Sequence, residues 1–174
     1  MIEILSPAGR VGVRPVEPAP GPGVLTGRRI AVLDNGKPHA GFVMAAIARL
    51  LAERAGASLA VEAVKTSAAL PMEPDVAERL RGAADVVLTG SADCGSCTSW
   101  SVHDTVELER LGLPTVLLAT RAFADLAREV CALHGLPRAR VMTVRGPLGG
   151  SPDSELIAMA EEGAEQALRL WTET

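Results

Sequence analysis

From Arg29 onward the chain alternates between short apolar runs and longer stretches with helical spacing. Arg29–Asp34 (RIAVLD) is a compact apolar run with β-branched residues, ended by Asn35-Gly36. Gly41–Ala55 sets Phe42, Val43, Ala46, Ile47, Leu50 and Leu51 at helical spacing, and Gly56 stops it. Ser58–Val64 predicts a second strand and Pro74–Arg81 a short helix. Ala84–Thr89 predicts a third strand, followed after an intervening loop by a helix over Trp100–Leu111 that stops at Gly112. Pro114–Ala119 and Arg140–Val144 predict the last two strands, on either side of a helix over Arg121–His134. A final helix is expected after Ser151, a good cap, with Pro152 in the first helical position and Asp153 favouring the dipole.

Continuously apolar strands of this length imply burial on both faces. Their alternation with helices gives a parallel sheet covered on each side. The expected fold is an α/β three-layer sandwich with a five-stranded, mainly parallel sheet, flavodoxin-like or Rossmann-like, over residues 28–174. Residues 1–27 differ. They hold five of the twelve prolines, Pro7, Pro15, Pro18, Pro20 and Pro22. Such a segment is extended. It drapes over the domain, reaches a neighbouring subunit, or is a partly disordered tail.

Composition narrows the function. A chain of 174 residues with 48% hydrophobic content is one domain with a sizeable core, not a disordered protein. The only aromatics are Phe42, Trp100, Phe123 and Trp171, too few for a single-stranded nucleic-acid platform. A net charge of −4 argues against a phosphate backbone or an anionic membrane as partner. No apolar stretch reaches the ~20 residues of a membrane span, and MIEILSPAGR lacks the pattern of a signal peptide. Three cysteines are too few to staple a secreted domain. A cytoplasmic protein acting on a small molecule is the expectation. Only Lys37 and Lys65 are lysines among 17 basic residues, as a GC-rich genome writes, which still draws attention to Lys37.

In parallel sheets ligands sit outside the carboxyl ends of the strands, at the switch point of strand order. The loop after the third strand, GSADCGSCTSWSVHD, is the densest chemistry there. Cys94 and Cys97 precede a helix, whose positive end stabilises a thiolate. Either could attack a substrate, and the other could resolve the adduct as a disulfide if the turn brings the Cα atoms within about 7 Å. Half a zinc site and two inert thiols are the alternatives. Completing a zinc site would need Cys131 and His134, which the alternation places at the opposite sheet edge, about 20 Å away by helix rise. Cys131 is expected to be structural. A papain-type protease is excluded, because Thr98 replaces the required aromatic and Asn35 is the only asparagine.

His103 is either a general base or thiolate partner, or an exposed helical residue paired with Glu107. Asp93 would raise a thiol pKa or donate a proton. Of the hydroxyls of Ser96, Thr98, Ser99 and Ser101, one is expected to cap the helix. Asp104 favours the first helical turn. Trp100 is a lid on the thiols or their packing support. The loop after the first strand, Asp34-Asn35-Gly36-Lys37-Pro38-His39, shares this edge. It has neither G-x-G-x-x-G nor GK[ST], so NAD and ATP are unsupported and no cofactor is expected. Lys37 and His39 bind an anion, act as acid and base, or form a polar turn. Arg145, after the last strand, clamps a carboxylate or belongs to an ordinary polar loop, and Thr120 and Arg121 line the same cleft.

The segments LDNGKPHAG and VVLTGSADCGSCTSWSVHDTVELERLGLPTVLLAT resemble the UGSC family, named for a selenocysteine-Gly-Ser-Cys motif. The likeness runs through the chain from about Leu25. It implies that Cys94, at the selenocysteine position, is the nucleophile and Cys97 its resolving or supporting thiol. It marks Asp34–Pro38 as the second signature. A His-Pro pair common in the family after the last strand is Gly146-Pro147 here. The short motif is also similar to the selenocysteine segments of glycine reductase and D-proline reductase subunits, which cleave C–N bonds reductively. A cysteine form leans harder on the helix end, Lys37 and His103, because a free thiol has a pKa of about 8.5. The expected function is a thiol-dependent enzyme on a small polar molecule, reset by a thiol reductant or second subunit. A non-redox cysteine isomerase or lyase of racemase-like type, and a non-catalytic partner subunit, are the alternatives. A homo- or hetero-dimer is expected.

Overall fold

The structure, a computed structural model, describes residues 14–173. Five strands alternate with five helices: β1 (Arg29–Asp34), α1 (Ala40–Ala55), β2 (Ser58–Val64), α2 (Pro74–Ala83), β3 (Val86–Ala92), α3 (Gly95–Arg110), β4 (Thr115–Thr120), α4 (Ala124–Leu133), β5 (Arg140–Val144) and α5 (Asp153–Thr172). The sheet runs β2-β1-β3-β4-β5, and every pairing is parallel. The expected three-layer sandwich is what forms, with the flavodoxin-like strand order.

Alternation along the strands explains the layers. Ile30, Val32, Val86, Leu88, Val116, Leu118, Met142 and Val144 bury one face of the sheet under α1 and α5. Ala31, Leu33 and Val87 bury the other face under α2 and α3, and Leu117, Ala119 and Val141 do so towards α3 and α4. Gly163 lets α5 approach α1, since a Cβ there would stand 2.7 Å from Ile47 Cδ1. No helix among the described residues is long and apolar enough to cross a membrane.

Several boundaries differ from the sequence-based ones, α4 among them at Ala124–Leu133, and three differences bear on the site. β3 runs to Ala92, three residues beyond the expected end, and is buried throughout. α3 starts at Gly95 rather than Trp100, so the second cysteine lies inside its first turn. Serine, threonine and asparagine compete with the backbone inside helices. In α3 the hydroxyls of Thr98 and Ser99 instead bond back to the carbonyls of Cys94 and Gly95, and the helix continues through them. At α5 the Ser151 hydroxyl donates to the Pro147 carbonyl instead of capping, and the helix begins at Asp153.

Of the proline-rich segment, residues 14–27 are described and Pro7 lies outside them. The described part drapes across the amino-terminal edge of the sheet. Val16 N–H donates to Gly135 O at 2.8 Å, and Leu25 is in the core. Arg140 fixes its middle, donating to Ala19 O at 2.7 Å, to Leu170 O at 3.0 Å and to Glu109 Oε1 at 2.9 Å. An open groove of about 550 Å³ lies between this segment and α5, at the sheet edge opposite the cysteines. Cys131 is buried in the α4 core as expected, and burial pushes its thiol up to about 12, with the charge of Glu109 adding to the effect.

Candidate active site

Strand order reverses between β1 and β3. Their following helices leave to opposite layers, α1 to one and α3 to the other, and a crevice opens between the two loops. Both sequence motifs are at this crevice. Asp34–His39 leaves β1, and Asp93–Cys97 leaves β3.

Asn35 joins the two walls. Its N–H donates to Gly90 O at 2.9 Å, and its Nδ2 donates to Ser91 O at 2.9 Å and Ser101 Oγ at 3.1 Å. Its Oδ1 accepts from Lys37 N–H at 3.3 Å. Both amide hydrogens are therefore committed, and the residue is only 2% exposed. Gly90 is required beneath it: φ is 143°, and a Cβ would stand 2.8 Å from Leu118 O. The β3–β4 register shifts just after it, between Gly90 and Ala92.

Cys94 is the cap of α3. Its backbone is extended, and its sulfur accepts the Cys97 N–H at 3.3 Å. The expectation that a hydroxyl caps this helix is corrected: the sulfur takes that place, because Cys94 is the last extended residue before the first turn. The two sulfurs are in contact and the Cα atoms are 5.5 Å apart, inside the range that a disulfide spans. Cys97 Sγ also lies 3.3 Å from Cys94 O. Cys97 is buried and Cys94 half-buried, with Ser96 Oγ 3.8 Å from the Cys94 sulfur. Thr98 is buried, its Oγ1 donating to Cys94 O at 2.6 Å, and Ser99 Oγ donates to Gly95 O at 3.3 Å. Asp93 is half-buried and makes no side-chain hydrogen bond among the described residues.

His103 makes no hydrogen bond to either cysteine among the described residues, and it follows Cys97 by six positions, about 9 Å of helix rise. Its ring packs edge-on against Trp100, with centroids 5.6 Å apart, so both aromatics lie on the flank of α3. Its Nδ1 is 3.6 Å from Asp104 Oδ1 and has no hydrogen-bond partner among the described residues. Glu107, the alternative partner, bonds Arg110 instead.

Asp34 is half-buried, accepts the Gly36 N–H at 2.8 Å on Oδ1, and packs against Gly41 with Oδ2. Burial raises its carboxyl above the usual range, the Gly36 N–H opposes this, and the charge of Glu62 adds to the rise. Lys37 makes no side-chain hydrogen bond or ion pair among the described residues, and exposed His39 starts α1 with φ 63°. Arg145 is exposed, 3.7 Å from Glu155.

One pair at the site escaped the sequence reading. Lys65, the residue after β2, forms a buried ion pair with Asp104 of α3, each side chain 1% exposed. Asp104 Oδ1 also accepts the Met72 N–H at 2.8 Å. The available signal was Lys65 itself, one of two lysines, placed directly at a strand end.

Fold and site define a doubly wound α/β protein with two cysteine sulfurs in contact at its switch point. The sequence matches the UGSC family over residues 3–173, and the chain belongs to that family. No curated protein matches it.

Proposed function

We propose that this UGSC-family protein is a thiol-dependent enzyme acting on a small polar molecule, with Cys94 as nucleophile and Cys97 as resolving thiol. One observation carries the reading: the Cys94 sulfur caps α3 at the β1/β3 crevice and touches the Cys97 sulfur. The amide and the helix dipole favour the thiolate. The Cys94 thiolate attacks an electrophilic carbon or sulfur of the substrate, and the leaving group departs with the bonding pair. Cys97, deprotonated, then attacks the Cys94 sulfur. The new S–S bond forms as the bond to the substrate fragment breaks, and the fragment leaves with the electron pair and takes up a proton. The substrate gains two electrons, and the thiol pair is oxidised to the disulfide. An external dithiol, free or on a partner protein, returns the pair to thiols, which makes a reducing cytoplasmic compartment the natural setting. The scheme needs no further cofactor.

Contact between the sulfurs supports a resolving role over a two-base isomerase, whose thiols stand on opposite faces of a substrate. The test is alkylation of the reduced protein with iodoacetamide across pH 5–9, followed by intact mass and peptide mapping. Labelling of Cys94 with an apparent pKa well below 8.5 is expected. Loss of this labelling in Cys94→Ser, with a trapped adduct in Cys97→Ser, supports the scheme. Two thiols inert at pH 7 would sink it and leave a non-catalytic partner subunit.

A further inference from the structure

Four strand ends lie side by side at the crevice, in the order β1, β3, β4, β5. Asp34 pairs with Gly90, Ala92 with Ala119, and Thr120 with Val144. Lys37 follows the first end by three residues, Cys94 the second by two, Arg121 the third by one and Arg145 the fourth by one. Each strand end beside that of Cys94, and the one beyond, therefore delivers one basic residue. At about 4.8 Å between strands, the four ends span about 15 Å.

The loops close round rather than splay apart. Gly146, after β5, lies against Thr120, and Gly149 lies against Pro38 of the β1 loop. Lys37 and Arg121 make no ion pair among the described residues, and the contact of Arg145 to Glu155 is an exposed one. Of the acids at this edge, Asp34 accepts the Gly36 N–H, Asp93 precedes Cys94, Asp125 lies in the first turn of α4 and Glu155 of α5 faces Arg145. α1 and α3, which flank the crevice, carry no acid in their first turns, whereas α2, α4 and α5 do. The buried Ser91 hydroxyl at the end of β3 has no hydrogen-bond partner among the described residues.

We infer that the molecule attacked by Cys94 is a small anion of carboxylate size, gathered by Lys37, Arg121 and Arg145. The inference rests on Cys94 being the nucleophile. The experiment compares alkylation of the reduced protein by iodoacetate, an anion, and iodoacetamide, its neutral counterpart. Both reagents meet the same thiolate, so the ratio of the two rates at Cys94 cancels its protonation. Divided by the ratio for N-acetylcysteine amide, a neutral reference thiol, the value is expected to be about tenfold or more at low ionic strength, since a cationic cleft concentrates anions. It should fall in 0.5 M salt, fall again in Lys37→Gln and Arg121→Gln, and rise in Asp93→Asn. A ratio equal to that of the free thiol, or one unmoved by the Lys37 and Arg121 changes, overturns the inference. Failure of Cys94 to react with iodoacetamide marks instead the failure of the nucleophile reading. In that case titration with succinate, followed by amide chemical shifts, decides the anion site alone. Shifts confined to residues 36–37, 121–122 and 145–146 support it, and their absence overturns it.

Discussion

The Cys97 N–H points at the Cys94 sulfur from 3.3 Å, so the candidate nucleophile and the cap of α3 are one atom. Chemistry and local stability are thereby coupled. Serine at position 94 keeps an acceptor for the amide, while alanine removes it. Under reducing conditions Cys94→Ser should unfold within about 0.5 kcal/mol of the parent, and Cys94→Ala about 1 kcal/mol earlier. Urea unfolding measures both. Equal stabilities for the two variants would show that the sulfur is no cap.

Asn35 holds the two walls of the crevice together. Removing its side chain leaves the Ser91 carbonyl and the Ser101 hydroxyl without that donor in a buried setting. Asn35→Ala should cost roughly 1–3 kcal/mol for the desolvated groups left behind. It should also slow iodoacetamide labelling of Cys94, because the β3 end loses its tie to β1. An unfolding midpoint unchanged from the parent would remove Asn35 from this role.

Lys65 and Asp104 are buried together, so the loss of one strands the other. Lys65→Met or Asp104→Leu alone should destabilise by roughly 3–5 kcal/mol, and the double variant by less than either single change. A double-mutant cycle by denaturant unfolding reads the difference directly. Additive costs would mean that the two groups act independently.

Much of this arrangement is legible in the sequence, and the parts that are not share a cause. Apolar runs with β-branched residues mark β1 and β4, and glycines at 56, 112 and 135 mark helix ends, because those signals are local. The end of β3 is hidden by Gly90 and Ser91, which read as a loop but are buried in the sheet beside β4. The start of α3 is hidden by its run of small and polar residues, whose hydroxyls bond back along the helix. Both cysteines and the β1 loop are visible as motifs, and their meeting follows from strand order. His103 looks close in sequence, and its neighbours on α3 are Trp100 and Asp104, a packing that the one-dimensional spacing does not announce. Lys65–Asp104 is a contact across 39 positions, and no local pattern announces it.

Asp34 should leave a mark on the pH dependence of stability. Its carboxyl is raised by burial above the ordinary value of 3.8, so the folded chain binds this proton more tightly than the unfolded chain. The stability it contributes is complete below that ordinary value and is lost as pH rises through the folded one. Asn in its place keeps an oxygen for the Gly36 N–H and carries no charge to desolvate. Asp34→Asn should therefore gain stability relative to the parent as pH rises from the ordinary carboxylate value through the raised folded one, and the difference should then level off. Urea unfolding of both proteins at stepped pH measures it. A difference that is flat across this window, or that grows towards acid, would mean that the Gly36 N–H holds the charged carboxylate more strongly than burial disfavours it.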